Sequence, residues 1–319
     1  MNKNAIRIVS FLLPLTALVA VIGMLMGSTN LFIIPRETAR IIFFNLRLPR
    51  VLAAALAGVG LSVSGVLLQS VTGNALAAPN IIGVNSGAGF CCIVMLSFFP
   101  GAVVFLPLGA FIGAFLTTLL IVAISGKINA FRGTVILAGI AITAVLNAGI
   151  SLLSLLDNDV LGAYNAFSVG GVAGVETKEL LIPALIIIAS LAISLILSRR
   201  IHMLCLGDAL AASLGVRVRA LRTVCLICAS AAAAAVVSFA GLLGFVGLVV
   251  PHISRKIAGE STLSLLLTSS FIGAILVILA DLFGRVILAP TEIPVGVIMA
   301  LIGAPFFFML LLQRRNGDA

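Results

Sequence analysis

The chain has 319 residues, of which 62% are hydrophobic and only 9% charged, and its net charge is +9. Soluble domains devote about a quarter of their residues to charge, so this chain cannot cover itself with polar surface and a water-soluble domain is excluded. Its basic residues are scattered between apolar runs rather than clustered, which excludes nucleic-acid binding. The runs are long and continuous rather than alternating ten-residue segments, which excludes an outer-membrane barrel.

Lys3 and Arg7 precede an apolar run from Ile8 to about Gly27. The run is long and lacks a convincing small-x-small cleavage site, so it reads as an uncleaved first span rather than a signal peptide. Further apolar stretches follow at 46–70, 81–99, 103–125, 134–156, 180–198, 220–240, 242–257, 263–284 and 294–312. Ten spans of about 20 residues use roughly 200 residues, which the hydrophobic fraction supplies. The segment 242–257 is marginal for a full span; Gly244, Gly247 and Pro251 predict a short or broken helix there.

Charge chooses the orientation. With the N-terminus inside, Arg36, Arg40, Arg47, Arg50, Lys178 and Arg285 fall outside, and the other thirteen of the nineteen basic residues fall inside. The positive-inside rule then favours both termini in the cytosol and an even number of spans. The expectation is an all-α integral membrane protein of about ten transmembrane helices in a compact bundle, N-in/C-in. Residues 1–319 form a single transmembrane domain, and the longest non-apolar stretches are 28–45 and 157–179 outside and 199–219 inside. No phosphate-binding G-x-x-x-x-G-K-[ST] loop occurs, so a pump of this kind takes its energy from an ion gradient or from another chain.

Spans 2 and 3 are rich in small residues, from Gly58 to Gly65 and from Gly83 to Gly89, and Ala231–Ala235 is an unbroken alanine run. Small residues let helix backbones approach closely in lipid, and close packing of one bundle is the plain reading; the sharper one is that some line a path. Between spans 2 and 3, Thr72–Asn80 contains Gly73 and Pro79 but no charge, so this turn can tuck back into the bundle. Asp281 is an intramembrane carboxylate near the outer face with no second one beside it, while Gln69 and Asn147 cannot carry charge; this weakens a proton-coupled carrier. Cys91, Cys92, Cys205, Cys225 and Cys228 read as small apolar packing residues, because no second pair or His completes a Cys-x-x-Cys metal site. His202 and His252 read as residues at the cytosolic surface. No Ser/His/Asp set, carboxylate pair or metal cluster argues for catalysis, so neither catalytic nor metal-ligating residues are assigned.

The cytosolic stretch Leu206–Arg217 differs from a plain connector. Gly207 opens it, Asp208 complements a helix N-terminus, and Gly215 closes it. This predicts a short helix outside the membrane, over about 206–216, hinged by glycines at both ends. Such an element can act as a lever gripped by a cytosolic partner.

Four ordered blocks carry a family resemblance: Leu46–Arg50; Asn74–Ala77 through Gly83–Gly89; Leu206–Val216; and Gly244–His252 with Glu292–Gly296 and Gly303–Phe306. Together they resemble the permease subunits of type II, binding-protein-dependent ABC importers for iron–siderophore, haem and cobalamin. The resemblance implies pairing with a second permease copy or a paralogue, with the substrate crossing at the interface between them. It also implies two cytosolic ATPase subunits that hold ATP and Mg, so this chain itself binds no cofactor. Those subunits grip the lever, here Leu206, Gly207, Asp208, Ala212, Ser213, Leu214 and Gly215. An extracytoplasmic substrate-binding protein docks through acidic residues onto Arg47, Arg50 and Arg285, and a cytosolic gate matches Arg132, Gly133 and Thr134. The chain departs from the family at Ala75, where proline is usual, at Ala78, where an acidic residue is common, and at Ala212, where arginine is frequent. The resemblance implies an iron–siderophore importer permease in the cytoplasmic membrane of a prokaryote, with haem or cobalamin as alternatives and a ten-span gradient-driven carrier as the rival from another class.

Overall fold

A computed structural model of the protein describes residues 3–27, 33–125 and 131–317, and every regular element among them is a helix. In chain order these are α1 (Lys3–Leu25), α2 (Arg36–Ile41), α3 (Leu48–Thr72), α4 (Val84–Phe98), α5 (Leu106–Ser125), α6 (Phe131–Ser154) and α7 (Asn158–Val169). They continue with α8 (Leu181–Cys205), α9 (Asp208–Ser213), α10 (Val218–Ala240), α11 (Val246–Ala258), α12 (Thr262–Val286) and α13 (Val295–Gly317). A π-helical turn over Ile42–Arg47 joins α2 to α3 without a break.

Each apolar stretch read from the sequence coincides with a helix, and among the described residues seven segments are long and apolar enough to cross a membrane: 7–25, 36–72, 101–124, 135–154, 177–205, 218–240 and 262–286. α4 and the 295–310 part of α13 are shorter apolar helices. α11 has 13 residues and rises only about 20 Å, short of the hydrocarbon core of about 30 Å.

Two of the stretches read as non-apolar contain helices. α7 occupies much of 157–179; Asp157 caps it by accepting from the backbone N–H groups of Asp159 (2.8 Å) and Val160 (3.4 Å), a local signal that hydropathy does not weigh. α2 and the π turn extend the second span back to Arg36, because the chain has no glycine or proline between Pro35 and Pro49 to stop it.

α3 is the central helix, packing on α1, α8, α10, α11 and α12. Its segment 60–72 is buried on every face, as expected for a helix that is apolar or small all round. A Cβ added at Gly58 would strike the Gly273 carbonyl in α12, and one at Gly65 would strike the Gly247 carbonyl in α11. These glycines set the backbone approach that holds helices together in lipid, where no hydrophobic drive does so. The turn after α3 does fold into the bundle: Ala77, Ala78 and Ile82 are buried and Pro79 lies against Gly247.

The break before α11 is also present. Phe245 holds a left-handed backbone (φ 63°), an uncommon state for a residue with a bulky side chain, and its ring fills the space a side chain at Gly303 of α13 would need.

Candidate functional site

Charged groups gather at both ends of the bundle. At one end meet the C-terminus of α1, the N-terminus of α3, the C-terminus of α12 and the loop entering α13. This end contains Arg47, Arg50 and Arg285, so the structure brings Arg285 together with two arginines more than 230 positions earlier in the chain.

Asp281, only 1% exposed, is the hub. Arg50 donates from Nε to Asp281 Oδ1 at 2.8 Å and from Nη1 to Glu292 Oε2 at 2.7 Å. Arg285, one helical turn beyond Asp281, places Nε 3.0 Å from Asp281 Oδ2 as an ion contact outside hydrogen-bond alignment. An isolated carboxylate at this depth is costly; two guanidinium groups in contact offset that cost.

Arg285 and Arg47 also cap α1, whose last turn carries no basic residue of its own. Arg285 donates from Nη2 to the Gly23 carbonyl (2.9 Å) and from Nη1 to that of Met26 (3.1 Å). Arg47 donates from Nη1 to the carbonyls of Leu25 (2.6 Å) and Met24 (3.2 Å). These carbonyls have no intrahelical donor, and cations complement the negative end of the helix dipole. Arg47 and Arg285 are therefore buried (6% and 3% exposed) and engaged within the chain.

Two cavities open beside this cluster. One of about 360 Å³ is lined by Gly27, Asn45, Arg47, Arg50, Glu176, Arg285 and Glu292, among others. The other, of about 280 Å³, runs past Arg50, Gly170, Gly171, Glu292 and Pro294. The α7–α8 connection forms part of both walls, anchored where Gly171 N–H donates to the Ala240 carbonyl (2.8 Å) and Gly296 N–H to that of Gly170 (3.1 Å). At the rim, the exposed Lys178 pairs with Glu176 at 2.7 Å.

The opposite end holds the lever. α9 spans Asp208–Ser213, shorter than the expected 206–216, because Gly207 (φ 117°) and Gly215 (φ 81°) both adopt backbone states that end a helix. Leu206, Leu210 and Leu214 recur every four residues and are 58%, 49% and 55% exposed, whereas Ala211 is fully buried against the bundle. Ala212, Ser213 and Gly215 are exposed as well. Asp208 is tied back by an ion pair with Arg222 Nη2 in the first turns of α10. Arg222 itself is buried, so α9 is braced against α10 while its leucines face away.

The gate positions Arg132, Gly133 and Thr134 begin α6; their side chains, and the preceding connection 126–130, lie outside the described residues. None of the five cysteines forms a disulfide, and Cys225 and Cys228 are buried within α10. His252 packs edge-on to Phe306 (ring centroids 5.6 Å apart). Among the described residues no three His, Cys, Asp or Glu side chains converge in a way that could hold a metal ion.

Asp281 and Glu292 were missing from the sequence-derived site. The spacing of Asp281 and Arg285, four apart on one helix, was the available signal; the contacts to Arg50 cross more than 230 residues and leave no local trace.

Residues 6–313 match the FecCD transport family. The chain is 37% identical to the Fe(3+)-citrate import system permease protein YfmE of Bacillus subtilis, over 83% of this chain and 80% of that one. It is 34% identical to the hemin transport system permease protein HmuU of Yersinia pestis (86% and 84% covered) and to the vitamin B12 import system permease protein BtuC of Vibrio cholerae (86% and 83%). A solved structure of an inward-facing metal-chelate type ABC transporter superposes with a TM-score of 0.85 at 31% identity, covering 96% of this chain and 99% of that one. The chain belongs to the FecCD transport family and is a multi-pass membrane permease subunit of an ABC transporter.

Proposed function

We propose that this permease forms the membrane path of an ATP-driven importer for a ferric chelate of the iron–siderophore class, paired with a second copy of itself or a paralogue. Haem and cobalamin are the alternative cargoes, since relatives named for hemin and vitamin B12 are about as similar as those named for iron chelates. The chain crosses the cytoplasmic membrane ten times with both ends in the cytosol. The lever then lies inside and the Arg50 cluster outside.

The observation that carries this reading is α9. Three exposed leucines on a short element, hinged by two glycines and braced by Asp208–Arg222, make an apolar ridge left uncovered among the described residues. Two cytosolic ATPase subunits that hold ATP and Mg take these ridges, one per permease, as an apolar helix face enters a groove. ATP binding and hydrolysis there bias two arrangements of the bundle through α9 and α10. The cytosolic gate lies at Arg132–Thr134. At the outer end an acidic partner, the extracytoplasmic binding protein, docks at the Arg47, Arg50 and Arg285 cluster, where complementary charge fixes orientation and speeds encounter.

A gradient-driven carrier is disfavoured by Asp281. Its carboxylate is committed to Arg50 and Arg285, so it offers no free proton site. The test is uptake of a radiolabelled ferric siderophore, hemin or cobalamin into proteoliposomes holding the permease and its ATPase, with binding protein outside and ATP inside. Transport of the siderophore alone supports the reading, and transport of only hemin or cobalamin replaces it.

A further inference from the structure

Arg50 serves two carboxylates of very different standing. Asp281 is sealed in the bundle, whereas the Glu292 side chain is 36% exposed and stands at the surface. Glu292 lies between α12 and α13, outside either helix, so its side chain can leave Arg50 without breaking a helical hydrogen bond. Next to it, Ile293 N–H is held by the Gly284 carbonyl at 2.9 Å, which keeps the loop in place when the side chain moves.

Both cavities at this end are lined by Arg50 and Glu292. The pair therefore borders each of them. Arg47 and Arg285 cannot be vacated so simply, because their guanidinium groups hold the end of α1. The cluster carries three guanidinium charges against two carboxylates, a surplus that attracts an acidic group. The other acidic residue lining the 360 Å³ cavity, Glu176, is occupied by Lys178 at the rim.

We propose that Glu292 is a built-in competitor for the docking partner: it occupies Arg50 in the undocked permease and yields that position to a carboxylate of the extracytoplasmic binding protein. The exchange replaces one carboxylate on Arg50 by another, so the cluster's charge balance is kept. Exposed ion pairs are individually weak, so the displaced pair is a small barrier rather than a lock. The proposal rests on the reading of this end as the docking face.

The test measures the affinity of the cognate binding protein for the permease–ATPase complex in lipid nanodiscs, with wild type, Glu292→Gln, Glu292→Asp and Arg50→Gln. Glu292→Gln removes the competitor and is expected to tighten binding roughly three- to tenfold, an effect that shrinks at high salt. Glu292→Asp, which keeps the charge but has a shorter reach, is expected to fall between it and wild type. Arg50→Gln is expected to weaken binding. Unchanged or weaker binding by Glu292→Gln, with Arg50→Gln also weaker, overturns the competitor role alone. Unchanged binding by Arg50→Gln overturns the docking reading itself.

Discussion

At the scale of single residues, the structure turns on a few side chains that lipid would penalise if they stood alone. Asp281 touches Arg50 and Arg285, so Asp281→Asn leaves the buried Arg285 without its carboxylate and Arg50 with Glu292 alone. Breaking a buried pair costs about 3–5 kcal/mol, and a clear fall in the melting temperature of the purified protein is expected. Asp281→Glu should recover part of that loss, which an effect of side-chain size alone would not produce. Gly58 acts through geometry instead. Gly58→Ala drives a methyl group into the Gly273 carbonyl, and the forced separation of α3 from α12 should destabilise the protein by about 1–3 kcal/mol. The identity of these residues was readable in the sequence, but their pairings were only partly so. Asp281 and Arg285 share a helix face by spacing alone, whereas Arg50 and Glu292 reach the cluster through the tertiary fold. For that reason the outer arginines looked like a surface patch, although two of them are buried caps for α1.

Among the elements, α9 carries the mechanical reading. Glycines at both ends and an acidic first turn announced a short helix in the sequence. Its brace did not appear there, because Arg222 looked like one more cytosolic cation. Arg222→Met and Asp208→Asn should each lower ATP-driven uptake while ATP hydrolysis continues. The double variant should be no worse than the more severe single one, since both remove the same contact; additive losses would contradict the brace. Gly215→Leu places a branched side chain at φ 81°, where a non-glycine residue costs about 1–2 kcal/mol, and it too should uncouple uptake from hydrolysis. Normal transport in that variant would count against a hinge at Gly215. The broken segment before α11 was also legible, from Gly244, Gly247 and Pro251. α7 was not, because its polar residues hid a helix whose start depends on the single cap at Asp157.

For the whole molecule, hydropathy located every membrane-scale helix, because a chain this apolar has few other ways to satisfy its backbone in lipid. Direction across the membrane came only from the distribution of basic residues, and one native side chain can check it. Cys205, the exposed cysteine at the lever end, should react with a membrane-impermeant maleimide in inverted vesicles stripped of peripheral subunits, and stay unlabelled in intact spheroplasts. The most direct test of ATP-driven import is to purify the permease from its native membrane in mild detergent and weigh what accompanies it. A complex containing one ATPase per permease, released by Leu210→Glu and Leu214→Glu together, is the expected result. A stable permease that carries no ATPase at any salt concentration would contradict it.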